Sequence, residues 1–434
     1  MNANSTQPTS RRRFIKTSST AALGGALASQ VAFPVVTSAR PNSETLRVGL
    51  IGCGGRGTGA AVQALKADSN VELTAIGDLF EENVRQTLQI LRKQAPDKVK
   101  VAPERCFLGF DAIHKVLASG VDVVLLTTPP GFRAHHLKAV VEAGKHAFVE
   151  ITLGIDAPGV RMALAAAEHA RQKRLAIVSG FCWRYNERHR GALAQIRAGA
   201  IGEIRAIYAT YYRASLENKY PGPRQAGWTD LEWQIRNWHY YSWLSGDVMI
   251  LLSGGHSVDK MSWWLGDVMP IKAVAVGGKQ APAGGNIFDH CAVAYEYANG
   301  VRGFLGCRTI DHCYTENADY IIGTKGICTI GRKPLPEITG ETNWRYTGPL
   351  NDMYQTEHDE LFASIRAGQP INDGTRMAHT TLMAVMGRMA AYTGQEITWE
   401  QALNSQEKLM PDHVDWNTKI ELPPVPVPGR TKFV

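Results

Sequence analysis

The chain has 434 residues, of which 44% are hydrophobic and 20% are charged, and its length is sufficient for two domains with separate cores. The formal net charge is +7 at pH 7, but four basic residues lie in the first 16 positions, and a chain cut after Ala39 has 43 basic against 40 acidic residues, close to +3. This balance gives no indication of nucleic-acid binding.

The first 44 residues are predicted to be an export signal and linker. Ser10-Arg-Arg-Arg-Phe-Ile-Lys16 matches the twin-arginine pattern, and an uncharged stretch rich in small residues follows over 17–36. We therefore expect a periplasmic protein exported by the twin-arginine route, with no stable membrane span after processing. A disordered basic tail and an uncleaved anchor are the alternatives.

A glycine-rich turn follows the first predicted strand. The stretch 46–51 is mostly apolar, and 52–57 reads G-x-G-x-x-G. In this pattern Gly52 makes the tight turn, Gly54 leaves room for a pyrophosphate, and Gly57 lets the next helix pack on the strand. That helix, predicted from about Arg56, would point its free N–H groups at the anion.

The second predicted strand, Val71–Gly77, leads to Asp78. A dinucleotide-binding fold places an acid here, about 20 residues past the glycines, to accept hydrogen bonds from the ribose hydroxyls. The acid favours NAD over NADP. The alternative is a purely structural turn, but strand, helix and acid occur in the required order. Because twin-arginine export carries folded proteins, we expect NAD to be tightly bound before export.

Predicted strands and helices alternate up to about residue 178, which indicates a doubly wound parallel sheet. Beyond it, 273–276, 291–297 and 301–306 are predicted to be strands of one sheet, and helices are predicted over 354–367 and 377–392. The predicted domains are therefore 45–178, which binds NAD(P), and 179–411, which binds substrate. The proline-rich segment 412–434 is predicted to be an arm that wraps a neighbouring subunit.

Five stretches, taken in order, resemble the Gfo/Idh/MocA oxidoreductases, a family that includes glucose–fructose oxidoreductase, inositol dehydrogenases and NAD-dependent glycosidases. The five stretches are 48–57, 127–135, 143–150, 180–185 and 255–259. The resemblance runs from about Leu46 to Pro411. It implies a Rossmann domain followed by an α/β domain with an open, mainly antiparallel sheet. Such sheets often form oligomer contacts, so we expect a homo-oligomer, either a dimer or a tetramer.

The glycine motif and the resemblance together predict the residues that hold the cofactor. They are Gly52, Gly54, Gly55, Arg56, Gly57, Asp78, Thr128, Pro129, His135 and Glu150. Arg184 and Tyr185 resemble the pair on the substrate side of the family's site, but a structural ion pair is an equal alternative for Arg184.

The sequence departs from the family at two places near the expected site. Where members usually have Glu-Lys-Pro, this chain has Glu150-Ile151-Thr152, so the lysine near the nicotinamide is missing. Thr152 replaces a proline whose preceding peptide bond can be cis. A cis bond before a residue other than proline costs about 2.5–4 kcal/mol, so we expect this turn to have a different backbone conformation. Leu252 stands where many members have an acid.

The remaining candidates for proton transfer lie between 237 and 259. His256 is the predicted base, since the pKa of histidine suits that role, and Asp259 would share its helical face. A histidine that only supports the helix is the alternative. His239 lies in an aromatic loop with Trp238 and Tyr240, which is suited to stacking on a sugar or to plain packing.

Three functions remain open. The first is an NAD(P)-dependent oxidoreductase that acts on a sugar or polyol. The second is a glycosidase that uses bound NAD transiently, oxidising C3 so that elimination follows. The third is a cofactor-binding protein that has lost catalysis, because the usual lysine is Ile151. The seven cysteines show no zinc spacing, and we expect no metal.

Overall fold

The computed structural model describes residues 44–215, 224–281 and 284–434, apart from the side chains of residues 248 and 249. Nearly all of the predicted export signal and linker therefore lies outside the described residues. Within the described ranges, no helix has the length and apolar character needed to cross a membrane. All seven cysteines lie in these ranges, and each is a free thiol.

The first domain is a parallel sheet with helices on both faces, as predicted. Its strands are β1 Leu46–Ile51, β2 Val71–Asp78, β3 Cys106–Leu108, β4 Val123–Leu126, β5 His146–Val149 and β6 Ile177–Ser179. The helices between them are α1 Gly55–Ala67, α2 Glu81–Gln94, α3 Ala112–Ala118, α4 Pro130–Glu142 and α5 Ala157–Gln172. Among the described residues the strand order is β3-β2-β1-β4-β5-β6, the doubly wound order that binds dinucleotides at the point where it reverses.

The turn between β1 and α1 has the geometry that its glycines predict. Gly52 has φ of +93°, which is strained for other residues, and its N–H donates to the carbonyl of Gly77 at 2.9 Å. A Cβ on Gly57 would lie 1.9 Å from the carbonyl oxygen of Gly52. The first turn of α1 therefore lies directly against the end of β1.

The second domain begins with α6 Glu187–Arg197 and is built on a larger mixed sheet. Its strands are β7 Ile204–Arg213, β8 Lys272–Gly278, β9 His290–Glu296, β10 Arg302–Thr309, β11 Glu316–Gly323, β12 Gly326–Ile330, β13 Glu337–Gly340, β14 Trp344–Arg345 and β15 Ile397–Thr398. The other helices are α7 Asp230–Arg236, α8 Ser242–Ser245, α9 Gly254–Trp264, α10 Met353–Arg366, α11 Gly374–Thr393 and α12 Trp399–Asn404. A π-helical segment, Val248–Ser253, leads into α9.

The described part of this sheet has the order β14-β13-β12-β11-β7-β10-β9-β8-β15. Only β7 and β10 pair in parallel; the other neighbours are antiparallel, which agrees with the expected open sheet. Residues on one face pack against α9 and α11. The other face exposes apolar side chains, including Val276, which is 72% exposed.

The chain returns to the first domain near its C-terminal end. Helix α10 packs on α1, and its residues Leu361, Phe362 and Ile365 belong to the core of the parallel sheet. The boundary predicted at residue 178 falls within β6 Ile177–Ser179, the last strand of the first sheet, and a helix after the second sheet supports the first one. This arrangement brings α10 close to the glycine-rich turn.

The segment 412–434 contacts residues of its own chain, and the prediction that it wraps a neighbouring subunit stays a prediction. The amide of Asn286 donates to the carbonyl of Pro423 at 3.2 Å, and the N–H of Gly429 donates to Thr393 at 2.8 Å. Trp416 packs on Phe110, with 5.0 Å between ring centroids. Prolines leave few backbone donors in this segment, so it is held by its carbonyls and by aromatic contacts.

The contact between Gly57 and Gly52 predicts a position-specific loss of stability. Gly57→Ala should lower the free energy of unfolding by about 1–3 kcal/mol, because the new methyl group collides with backbone. Gly55→Ala, in the same helical turn, meets no atom within 4 Å and should leave stability unchanged or slightly raised. Urea denaturation of the nucleotide-free proteins compares them, and equal stability of the two variants would contradict this packing.

Candidate functional site

The carboxyl ends of β1, β2 and β4 border a cavity of about 270 Å³, here named cavity A. The glycine-rich turn and the loop after β4 line it, together with aromatic side chains. Its lining includes Gly52, Gly54, Asp78, Phe80, Thr128 and Pro129. Cavity A therefore lies where a doubly wound sheet binds a nucleotide.

Asp78 is fixed at the edge of cavity A by hydrogen bonds. One carboxylate oxygen accepts from the backbone N–H of Cys53 at 2.5 Å, and the other accepts from Phe80 at 2.9 Å and from the side chain of Asn83 at 3.1 Å. Burial raises the pKa of Asp78, although these hydrogen bonds oppose the rise. The carboxylate is thus held in place at the end of β2, as the sequence predicted.

A second cavity of about 310 Å³, named cavity B, adjoins cavity A. Gly54, Thr127 and Trp238 line both cavities, so the two are neighbours. Cavity B also contains the charged and imidazole side chains Arg56, Arg133, Glu150, Arg213, His239 and His256. A ligand that spans both cavities would lie across the first turn of α1.

Arg56 links three elements at the border of cavity B. Its Nε donates to Glu150 at 2.5 Å, and Nη2 lies 3.6 Å from Glu357 of α10. The guanidinium also lies 5.0 Å from the ring centroid of Tyr354. Burial lowers the pKa of Arg56, but the carboxyl groups of Glu150 and Glu357 raise it by more, so the pKa lies above its ordinary value. Burial, and then the charge of Glu150, raise the pKa of Glu357 well above its usual value.

Two histidines face cavity B, as predicted. Nδ1 of His256 is buried and has no hydrogen-bond partner among the described residues, and the ring lies 6.4 Å from that of Tyr211. Burial lowers the pKa of His256 to about 4, although Glu150 opposes the shift. His239 stacks on Trp238 at 3.7 Å, and burial lowers its pKa to about 3. Both imidazoles are therefore neutral at pH 7 and able to accept a proton.

The two departures from the family sequence also line cavity B. Ile151 and Leu252 both face it, so apolar side chains stand where the resemblance implies a lysine and an acid. The expectation that the turn after Glu150 is rebuilt was wrong, because the Ile151–Thr152 peptide bond is cis. A Cβ on Gly255 would lie 3.4 Å from Cγ2 of Thr152, which shows how closely α9 packs against this turn.

Asp259 does not form a pair with His256. Its carboxylate accepts from Nε of Arg184 at 2.9 and 3.0 Å and lies 3.4 Å from Arg376. Thr380 donates to the same carboxylate at 3.3 Å, and Asp259 is 1% exposed. This geometry corrects the proposed catalytic pairing, because the carboxylate is committed to two arginines. For Arg184 it favours the ion-pair alternative over a substrate contact.

Three other predicted residues lie outside both cavities. Tyr185 donates its hydroxyl to Asp373 at 3.0 Å, and Tyr240 lines a separate cavity beside Asp289. His135 lies near the carboxyl groups of Asp156 and Asp412. Its neighbour His136 lines cavity A, where Nδ1 lies 3.2 Å from the hydroxyl of Thr128. The sequence thus marked the correct loop but the wrong histidine, since adjacent helical residues point in different directions.

Sequence reasoning missed Arg133, Arg213 and Glu357. Arg133 lies within the stretch 127–135 that carries the family resemblance. Its place near the start of α4, beside the predicted cofactor loop, was the only sequence signal that it could belong to the site. Glu357 precedes His358 on α10. His358 is 0% exposed and packs on Phe148, with 4.3 Å between ring centroids.

Two models of one protein family match successive parts of the chain. The Gfo/Idh/MocA model for the NAD-binding Rossmann fold matches residues 46–181, and the model for the family's C-terminal domain matches 189–329. Together they cover more than half of the chain. The chain belongs to the Gfo/Idh/MocA oxidoreductase family.

Relatives within this family include both dehydrogenases and glycosidases. A glycosyl hydrolase family 109 protein from Solibacter usitatus is 32% identical over 47% of this chain and 46% of its own length, so the match spans less than half of that relative. Inositol 2-dehydrogenase from Burkholderia cenocepacia is 26% identical over 67% of this chain and 75% of its own length.

A solved levoglucosan dehydrogenase, in complex with NADH and levoglucosan, has the same fold. Its TM-score is 0.65 at 17% identity, with 82% of this chain and 99% of that chain covered. At this identity the similarity shows the fold alone.

The residues of cavities A and B fit a bound dinucleotide. A Cβ on Gly54 or Gly55 would meet no atom within 4 Å, so both glycines leave open space at the first turn of α1. The N–H groups of that turn are suited to a pyrophosphate, and Asp78 is suited to ribose hydroxyls. Among the described residues, no group of three or more His, Cys, Asp or Glu side chains is placed to hold a metal ion.

The buried ion pair at Asp259 predicts a loss of stability. Asp259→Ala should lower the free energy of unfolding by about 3–5 kcal/mol, because the buried guanidinium of Arg184 would lose the buried carboxylate that Nε binds. Asp267→Ala, which removes a more exposed partner of Arg184, should cost about 1 kcal/mol or less. Denaturant titration measures both. If Asp259→Ala is as stable as the unmodified protein but inactive, Asp259 is catalytic.

Proposed function

We propose that the protein is an NAD-dependent enzyme that oxidises a hydroxyl-bearing carbon of a sugar or polyol to a carbonyl, or reduces that carbonyl to the alcohol. The observation that carries this proposal is the pair of adjoining cavities, one bordered by Asp78 and the other by His256, on either side of the first turn of α1. Bound NAD supplies a hydride acceptor. Asp78 favours NAD over NADP, since a carboxylate would repel a 2′-phosphate.

In this proposal the substrate lies in cavity B with its hydroxyl directed at His256. The neutral imidazole accepts the hydroxyl proton as the carbon loses its hydride, which is general-base catalysis. The ring of Trp238 offers a face on which a sugar ring can stack. Ile151 and Leu252 exclude water from the reacting carbon, because their apolar side chains line the same cavity.

A redox-neutral glycosidase is the second candidate, and the match to glycosyl hydrolase family 109 proteins favours it. Oxidation of C3 would make the C2 proton acidic, and loss of that proton would expel the glycosidic group with formation of a C1–C2 double bond. Water then adds across this bond, and the hydride returns to C3. Glu150 and His239, both in cavity B, are placed to serve as the second proton carrier that such a cycle requires.

We propose also that the protein is exported with its cofactor and assembles as a homo-oligomer. The twin-arginine sequence before residue 17 supports the first proposal. The exposed apolar face of the large sheet supports the second, since such faces commonly mark an interface. Fractionation of cells that express the full chain tests export, and sedimentation of the purified protein tests assembly. Cytoplasmic retention or a monomer would refute them.

One assay distinguishes the candidate functions. The purified protein should release NAD on denaturation, and that nucleotide should be identified by mass spectrometry. With a panel of sugars, polyols and aryl glycosides, an oxidoreductase yields net NADH, whereas a glycosidase releases aglycone without net NADH. A protein without catalysis shows only ligand-induced thermal stabilisation. Absence of any bound nucleotide and of any response to added NAD would contradict the proposal.

The lowered pKa of His256 predicts the acid limit of activity. A base acts only when it is unprotonated, so kcat/KM should stay level from pH 8 to 5 and fall as the pH decreases through about 4. His256→Gln should lower kcat by about 10²–10⁴-fold with the NAD content unchanged, whereas His413→Gln, at an exposed site, should have no effect. If kcat/KM instead falls with an apparent pKa near 6.5, and this fall is also seen in His256→Gln, His256 is excluded as the base.

A further inference from the structure

The charges that line cavity B do not balance. Three arginines, Arg56, Arg133 and Arg213, face a single lining carboxylate, Glu150. Glu150 is bound by Arg56 at 2.5 Å, so this pair is neutral as a unit. The cavity therefore holds two further guanidinium groups whose charge no lining residue neutralises.

Arg133 is the more deeply buried of the two. It is 4% exposed, its Nε has no hydrogen-bond partner among the described residues, and Nη1 makes one long contact of 3.3 Å with the carbonyl of Thr152. No carboxylate of the described residues forms an ion pair with it. Burial lowers the pKa of Arg133 to about 9, and the more distant Glu150 only partly opposes this shift. A buried cation without a counter-ion is costly, and an anion in the cavity would relieve that cost.

Arg213 approaches cavity B from the second domain. It is the last residue of β7, it is half-buried, and in the part of the chain that the structure describes it has no ion pair. Its charge is, after burial, the second cause that lowers the pKa of His239, another residue that lines cavity B.

Arg133 is linked by contacts to the helix that carries His256. Its Nη1 donates to the carbonyl of Thr152, and Thr152 packs against Gly255, the residue before His256. The expected pyrophosphate position, at Gly54 and Gly55 of the first turn of α1, borders the same cavity. The uncompensated charge of Arg133 therefore lies beside the proposed base, in a cavity that an oxyanion of the substrate or of the cofactor can enter.

We propose that Arg133 and Arg213 form an anion subsite that binds the carboxylate of a sugar-acid substrate, such as a uronate or an aldonate. A guanidinium binds a carboxylate through paired N–H donors, and Nε of Arg133 is available for such a pair. This inference rests on the proposed function, since it names the substrate class for the same cavity. A phosphate of the cofactor is the other source of an oxyanion, and the test separates the two.

The experiment uses the full-length protein loaded with NAD and compares D-glucuronate and D-gluconate with D-glucose by isothermal titration at low salt. The acids should bind at least about tenfold more tightly than the neutral sugar. Arg133→Met and Arg213→Met should each remove this preference, and Arg133→Lys should restore part of it. Arg205→Met, an exposed position on the same strand as Arg213, is the matched control and should behave as the unmodified protein. Circular dichroism of each variant establishes that it is folded.

Each outcome bears on one of the two proposals. If Arg133→Met keeps its NAD but loses the preference for acids, the substrate subsite is supported. If it loses NAD and binds both sugar types equally, the oxyanion belongs to the cofactor and the subsite is refuted. Turnover of neutral sugars without preference for acids would refute the subsite and leave the proposed function intact. Binding of acids that depends on both arginines, without any hydride transfer, would support the subsite and refute the function.

Discussion

The ion pair between Arg56 and Glu150 connects the cofactor side of the site to its chemical side. Arg56 lies in the first turn of α1, Glu150 follows β5, and the distance of 2.5 Å fixes the two elements against each other. Glu357 approaches the same guanidinium from α10. Burial, and then the charge of Glu150, raise the pKa of Glu357 well above its usual value. The Arg56–Glu150 pair therefore fixes the phosphate-binding turn against the end of β5 and leaves Arg133 and Arg213 as the uncompensated charges of cavity B.

The sequence predicted the first domain well because its signals are local. A turn with positive φ needs glycine at Gly52, close packing needs Gly57, and the acid Asp78 follows within one strand–helix–strand unit. Parallel strands that are buried on both faces appear in the sequence as short apolar runs, so their first and last residues are easy to predict. The strand order of the second sheet could not be predicted from local patterns, because it pairs segments that are more than 100 residues apart. The mixed sheet was therefore expected from the family resemblance alone.

Most residues of the site that the sequence misplaced are set by contacts between distant segments. Asp259 is three residues from His256, but its carboxylate is taken by Arg184, 75 residues away, and by Arg376, 117 residues away. No spacing rule identifies such partners. The choice between His135 and His136 depended on the rotation of α4, which the packing of that helix sets. Arg133 and Glu357 became candidates only when burial and missing partners were visible.

The substitutions at Ile151 and Leu252 and the positive charge of cavity B are physically related in the proposed reaction. With Ile151 and Leu252 in place of the family's lysine and acid, the proposed proton acceptor is an imidazole whose pKa is about 4, which is a weak base. A weak base can deprotonate a hydroxyl only where the developing alkoxide is stabilised, and nearby cations lower the pKa of that hydroxyl. Arg133 and Arg213 supply this field from fixed positions. The charge that binds a sugar acid would therefore also compensate for the missing lysine.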